Sequence, residues 1–333
     1  MMSKIRSGHR SCSELEELFH GVKLQRKPSG LPVSSLLAFF PLLLFSMLSV
    51  GAGESRAAFE GIVVDSRTAA MGDCWSASDH GVHPLSPVPP VRMNLSVSVC
   101  YCAPYGLPEL EQRNLLLGLP SRANMFTLEV IERGGSLYKE RILSASVSRR
   151  AFPSTRFMLS LGMFSMSVAG LGETRFFGLS TGLRSRPTRS LEASIGMGNL
   201  ASRSASASDG RAVFPTFLFG LTLTPGESVT AAGEVRKTPG KESSIHLGVE
   251  FEPQEGIRIR CGLQTVPMEV AMGFAIELGH LSIETASSFH SVLGRTDVIT
   301  LTFRSGVNAG GPAGKAGTGA HHGRSNRTKE AAQ

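Results

Sequence analysis

Charge is scarce in this chain: Asp, Glu, Lys and Arg make up 18% of its 333 residues, and aromatic residues only 7%, with a single Trp. A long helical bundle or coiled coil takes about half its residues from Ala, Glu, Lys, Leu and Arg, so this composition excludes both. Long apolar runs are scarce too. Only residues 36–50, LLAFFPLLLFSMLSV, approach the roughly 20 residues of a spanning helix, which excludes a helical transporter. Five cysteines are too few for a disulfide framework. What the chain does have is 37 glycines among short alternating segments, the make-up of an all-β protein.

The formal net charge of +7 sits at the two ends. Residues 1–30 hold Lys4, Arg6, Arg10, Lys23, Arg26 and Lys27 against Glu14, Glu16 and Glu17, or +3. The stretch from Val307 holds Lys315, Arg324, Arg327 and Lys329 against Glu330, another +3. The middle keeps only +1, so it offers no basic face for a phosphate backbone. Nucleic acid is not an expected partner.

The apolar run follows a basic stretch ending at Lys27 and precedes Gly51-Ala52-Gly53 and Ser55-Arg56-Ala57-Ala58. A basic region, a short apolar core and small residues together make a secretory signal peptide. Pro41 and the shortness of the run argue against a membrane anchor. Cleavage is expected between Ala52 and Ala58, which removes Cys12 and delivers Cys74, Cys100, Cys102 and Cys261 to an oxidising compartment. A bridge from Cys74 to Cys100 or Cys102 stays open beside the default of unpaired small residues.

From Val91 onward, apolar and small-polar side chains alternate in segments of eight to twelve residues, without a sustained helical period. Met272, Phe274, Ile276 and Leu278 point one way, and Gly273, Ala275, Glu277 and Gly279 the other, as successive strand residues must. About fourteen such segments lie near 91–102, 112–119, 124–133, 138–149, 156–169, 174–185, 190–201, 213–225, 228–237, 243–253, 256–265, 269–280, 281–289 and 296–304. A soluble sandwich would turn the apolar face inward and carry many charges outside. A transmembrane barrel turns it to lipid and fills its lumen face with small residues. Here the second face reads Ser144, Ser146, Ser148 and Gly178, Ser180, Gly182, suited to a narrow barrel. The expected fold is therefore all-β, a transmembrane antiparallel β-barrel of about 14 strands (12–14). The chain divides into 1–57, removed; 58–90, a lead-in or plug; 91–306, the barrel; and 307–333, a Gly/Ala-rich tail too polar to pack.

Phe59, Arg67, Ala69-Ala70-Met71-Gly72 and Ala77 form an N-terminal signature. It is followed by Tyr105-Gly106-Leu107-Pro108-Glu109-Leu110, Gly134-Gly135-Ser136-Leu137-Tyr138-Lys139-Glu140, and His290 to Leu293-Gly294-Arg295-Thr296. In this order, over about residues 58–304, they resemble the PorV/PorQ-like outer-membrane proteins, relatives of the FadL-type transporters. The resemblance implies an outer-membrane barrel and makes Met71, Gly72, Tyr138, Glu140, His290 and Gly294 family-motif positions. Two departures stand out: His83-Pro84-Leu85-Ser86 replaces the Asn-Pro-Ala-Gly plug segment of FadL-like chains, and Asp297 stands where a second His is frequent.

Arg258 and Arg260 lie one strand after Glu250 and Glu252, with His246 and Glu277 on the same face. On the lipid face each Arg would cost about 2–4 kcal/mol near the midplane, so alternation places this charge network in the lumen. It either selects solutes or holds the barrel shut. His80, His83 and Cys74 lack the spacing of a zinc site, and His321-His322 stand in the tail, so no metal or other cofactor is expected. Gly314-Lys315 lacks the first Gly and the Ser/Thr of a phosphate loop. His290 with Ser287 or Ser288 is the one nominal catalytic pair, without a nucleophile-turn motif. The chain is therefore expected to be a non-enzymatic outer-membrane barrel. Its expected partners are lipid and either hydrophobic small molecules or protein-export machinery.

Overall fold

A computed structural model describes residues 59–78, 95–121, 124–200, 203–204 and 214–305. The segment expected to be a signal peptide, His80, His83, the phosphate-loop-like stretch, His321-His322 and the tail lie outside the described residues. No helix among the described residues is long and apolar enough to cross a membrane.

Fifteen strands run in chain order: β1 Ser96–Ala103, β2 Gln112–Ser121, β3 Asn124–Gly134, β4 Tyr138–Phe152, β5 Thr155–Val168, β6 Gly172–Ser185, β7 Leu191–Gly198, β8 Arg203–Ser204, β9 Thr216–Leu223, β10 Val229–Lys237, β11 Ser244–Gln254, β12 Ile257–Thr265, β13 Met268–Leu278, β14 Leu281–His290 and β15 Gly294–Arg304. Each pairs antiparallel with its neighbours, β7 with β9, and β15 closes on β1 from Ser96↔Arg304 to Ala103↔Asp297. The two-residue β8 pairs only with β6. The protein is a closed antiparallel barrel of fourteen strands.

The alternation read from the sequence sorts residues by face. Met272 is 56% exposed and Ala275 1% exposed. Leu247, Val249 and Phe251 likewise point outward, while His246 and Glu250 are buried. An apolar face spread over the whole outer wall far exceeds the patches of roughly 300–600 Å² that a soluble monomer shows, and suits a hydrocarbon surround.

The two ends differ. The start of β1 and the end of β15 share the near end, where the turns are two or five residues long, such as 153–154 and 186–190. The far end carries the longer connections 104–111 and 199–215. Phe126, Phe152, Phe157, Phe251 and Phe303 are all exposed near the near end, an aromatic belt of the kind that marks a bilayer interface.

Residues 59–78 run inside the ring. Asp65 caps helix α1 (Ser66–Ala70): its carboxylate accepts from the Thr68 N–H at 2.7 Å, and its own N–H donates to Thr68 Oγ1 at 3.3 Å. All five helix residues are buried. Gly72 (φ +70°) and Asp73 (φ +59°) then reverse the chain in left-handed conformations.

This segment, rather than narrowness alone, explains the small lumen face of β11 and β12. A Cβ on Gly248 would lie 2.5 Å from that of Met71, and one on Gly262 would overlap the Met71–Gly72 peptide itself. The glycines of β11 and β12 are thus a seat cut for an internal segment. The bridge left open for Cys74 does not form, and the cysteines stay unpaired, the default expectation. Cys74 packs with Met71, Ala77 and Ala232, whereas Cys100 and Cys102 pack with Ala69 and Ala70, and all four described cysteines are free.

Candidate functional site

The buried charges gather where the internal segment meets β10–β14. Arg67 Nη2 reaches Glu250 Oε1 at 2.9 Å, and Arg260 bridges Glu250 Oε2 and Glu284 Oε2 at 2.6 Å each. Ser282 donates to the other oxygen of Glu284 at 3.1 Å. Arg260 has a fully buried side chain, so two cations and two anions are compensated away from water. Beside them Ser66 bonds Thr300 Oγ1 through both its N–H (2.9 Å) and its hydroxyl (2.8 Å). The plug helix is thereby fastened to β11, β12, β14 and β15.

A second clasp holds the turn after it. Arg236 meets Asp73 at 2.8 Å and Glu234 at 2.7 Å, and its guanidinium stacks 3.5 Å from the centre of the Trp75 ring. The Ser76 N–H donates to Glu234 at 2.7 Å, and Arg184 donates to the Ser76 carbonyl at 2.8 Å. Across the lumen, Asn114 donates to the Val63 and Val64 carbonyls at 2.7 and 2.9 Å.

Of the residues singled out from sequence, Arg260 and Glu250 belong to the first clasp. Arg258 lies apart from it, paired with Glu252 at 3.4 Å and with Glu277, which also faces Arg304 at 3.7 Å. His246 joins neither group: its Nδ1 bonds the Gly72 carbonyl and its Nε2 the Ser244 hydroxyl, each at 2.8 Å. Arg67, noted only as a signature residue, completes the first clasp. Glu284, Glu234, Arg236 and Asp73 were missed. Glu284 and Glu234 share the lumen parity of their strands, and that parity was the signal.

The motif positions have local duties. Met71 is fully buried on the glycine seat, and Gly72 lies against the Leu247 and Leu263 backbone. Glu140 accepts from the Phe59 N–H at 2.9 Å and from the Tyr138 hydroxyl. His290 Nδ1 accepts the Val292 and Leu293 N–H groups at 3.1 Å, and Gly294 (φ +98°) ends that turn.

The nominal catalytic pair is not assembled with Ser287. That hydroxyl donates to Asp297 at 2.6 Å on the outer face, while His290 shares the inward parity of Ser282 and Glu284. Ser288 lines a far-end cavity of about 80 Å³ with Tyr105, Arg133 and Glu269. Burial pushes the Cys74 thiol up to about 12, away from thiolate chemistry. Among the described residues, no three His, Cys, Asp or Glu side chains are grouped to hold a metal ion.

One part of the lumen wall is apolar. Ile131, Ile142, Phe164 and Phe176, inward from β3–β6 toward the far end, pack with Ile62 and Phe59. The Phe59 ring meets those of Phe164 and Phe176 edge-on, with centroids 5.3 and 6.4 Å away.

Fold and site together define a fourteen-stranded β-barrel with an internal plug. No family model matches the chain, and no curated protein matches it in sequence. Solved structures share its architecture at low identity. The P. putida toluene transporter TodX superposes with a TM-score of 0.51 at 11% identity, over 72% of this chain and 98% of that one. A CymD monoaromatic hydrocarbon channel gives 0.49 at 11%, over 74% and 98%. A Pseudomonas aeruginosa FadL homologue gives 0.47 at 10%, over 74% and 99%. The likeness to PorV/PorQ proteins rests on the sequence motifs alone.

Proposed function

We propose that the protein is an outer-membrane barrel that passes hydrophobic or small amphipathic molecules, with residues 59–78 as its gate. The observation that carries this reading is the apolar lumen patch around Phe59. An aromatic ring is already seated there between Phe164 and Phe176, so a monoaromatic solute finds matching walls once Phe59 withdraws. The apolar outer face and the aromatic belt support membrane insertion, and the short turns support a periplasmic near end. TodX is a toluene transporter, and its shared fold adds an analogy of architecture. The test is uptake of radiolabelled toluene by cells with and without the protein. Faster uptake is expected with it, and faster still with Phe59→Ala.

A second reading is a closed accessory barrel of the PorV/PorQ kind, serving protein export. The two ionic clasps on the plug favour it, since a barrel fastened shut passes nothing. Equal toluene uptake with and without the protein would overturn transport and leave this role.

A further inference from the structure

The near end of the lumen holds an arginine cluster of which the gate uses only Arg184, through the Ser76 carbonyl. β4, β5 and β6 place three arginines side by side in register, Arg150 opposite Arg156 and Arg156 opposite Arg184. Like charges directly opposite one another destabilise a sheet. The turn into β7 adds Arg186 and Arg189, and the five line an open pocket of about 650 Å³. Glu192 is the one carboxylate among the described residues lining it, and it is already paired with Arg184.

Arg156 is the telling member. It is 5% exposed, and neither terminal guanidinium nitrogen has a hydrogen-bond partner. A guanidinium keeps its charge at any physiological pH, so burial cannot neutralise it. Its planar fork suits the paired oxygens of a carboxylate or phosphate. The pocket volume is that of a small-molecule site rather than of a single ion. Arg156 and Arg184 share the lumen parity of Met158 and Ser160 and of Gly182, which directs the site at solutes in the lumen and away from the surrounding bilayer.

We propose that this pocket binds a small soluble polyanion, one carrying two or more phosphate or carboxylate groups. The site is independent of what the barrel passes. The test titrates the full mature protein, in phosphatidylcholine nanodiscs at low ionic strength, with pyrophosphate, citrate and choline by calorimetry. Both anions are expected to bind and choline not to. Arg156→Gln should weaken anion binding at least tenfold and abolish the rise in melting temperature that citrate confers. Arg295→Gln, at the far end, should do neither. If Arg156→Gln does not assemble, Arg150→Gln at the exposed rim carries the same comparison. Absence of binding by both anions, or equal binding by the variant, would overturn the proposal. Loss of binding in phosphatidylglycerol nanodiscs would overturn it too, by assigning the site to a lipid headgroup.

Discussion

On the wall from β10 to β14, the buried charges Glu234, Arg236, Glu250, Arg260 and Glu284 all meet opposite charges, and glycines admit the plug backbone. On β3 to β5 the same lumen parity carries Thr127, Ser148, Ser160 and Arg156, whose buried polar atoms lack partners. The first wall holds the internal segment through paired charges, whereas the second holds it through the apolar patch and the Glu140 contact to Phe59 and leaves polar atoms without partners. A solute crossing with least disturbance would follow the second.

The largest expected effect comes from breaking the clasped wall. Arg260→Met leaves the Glu250 and Glu284 carboxylates buried without their shared cation, a loss of about 3–5 kcal/mol. The plug should come free while the ring stays paired, so limited proteolysis should cut near residue 67 in the variant only. Restoring Arg while changing Glu250→Gln should cost less, because Arg260 keeps Glu284. Next comes Gly262→Val. It forces a side chain into the Met71–Gly72 peptide and should cost about 1–3 kcal/mol by overpacking. Uptake of a hydrophobic dye should rise with it. If the variant stays closed and equally heat-stable, the glycine seat is misread.

This contrast was only half legible in the sequence. The fourteen strands could be read because alternation is a local property, and their ends fall within a few residues of the expected ones. Arg260 and Glu250 could be paired because consecutive antiparallel strands bring them into register. The small lumen residues were visible, but their cause was not. That Gly262 faces Met71 depends on a segment nearly two hundred residues earlier in the chain, which no periodicity reports. The arginine row was hidden for a related reason. Arg150, Arg156 and Arg184 come from three strands, and a net charge of +1 over the middle of the chain averages them away.

Outside the lumen, Phe303→Asp tests the belt. Phe303 is exposed at the near end, where a charge on the lipid face costs only about 0–1 kcal/mol, less than at the midplane. Assembled, heat-modifiable barrel should fall modestly on unheated gels. A complete loss would mean that this end of β15 lies deeper in the bilayer than the belt implies.

The smallest effect should come from the unclasped wall. Ser160 is buried and its hydroxyl has no partner, so Ser160→Ala removes a group that already bears its desolvation cost. Its stability should match the parent's or rise slightly, by no more than about 0.5 kcal/mol, as for a substitution that breaks no contact. Ser66→Ala is the counterpart on the clasped side. It deletes a hydroxyl bonded to Thr300 at 2.8 Å and to the Glu284 carbonyl at 3.1 Å, and leaves buried Thr300 only the Ser66 N–H as a partner from the helix. Its cost should be about 1–3 kcal/mol. The discriminating quantity is the difference between these two serine-to-alanine changes, which have the same chemistry and comparable burial. If they cost the same, the two walls do not differ in how they treat the plug, and a solute route along β3–β5 loses its physical basis.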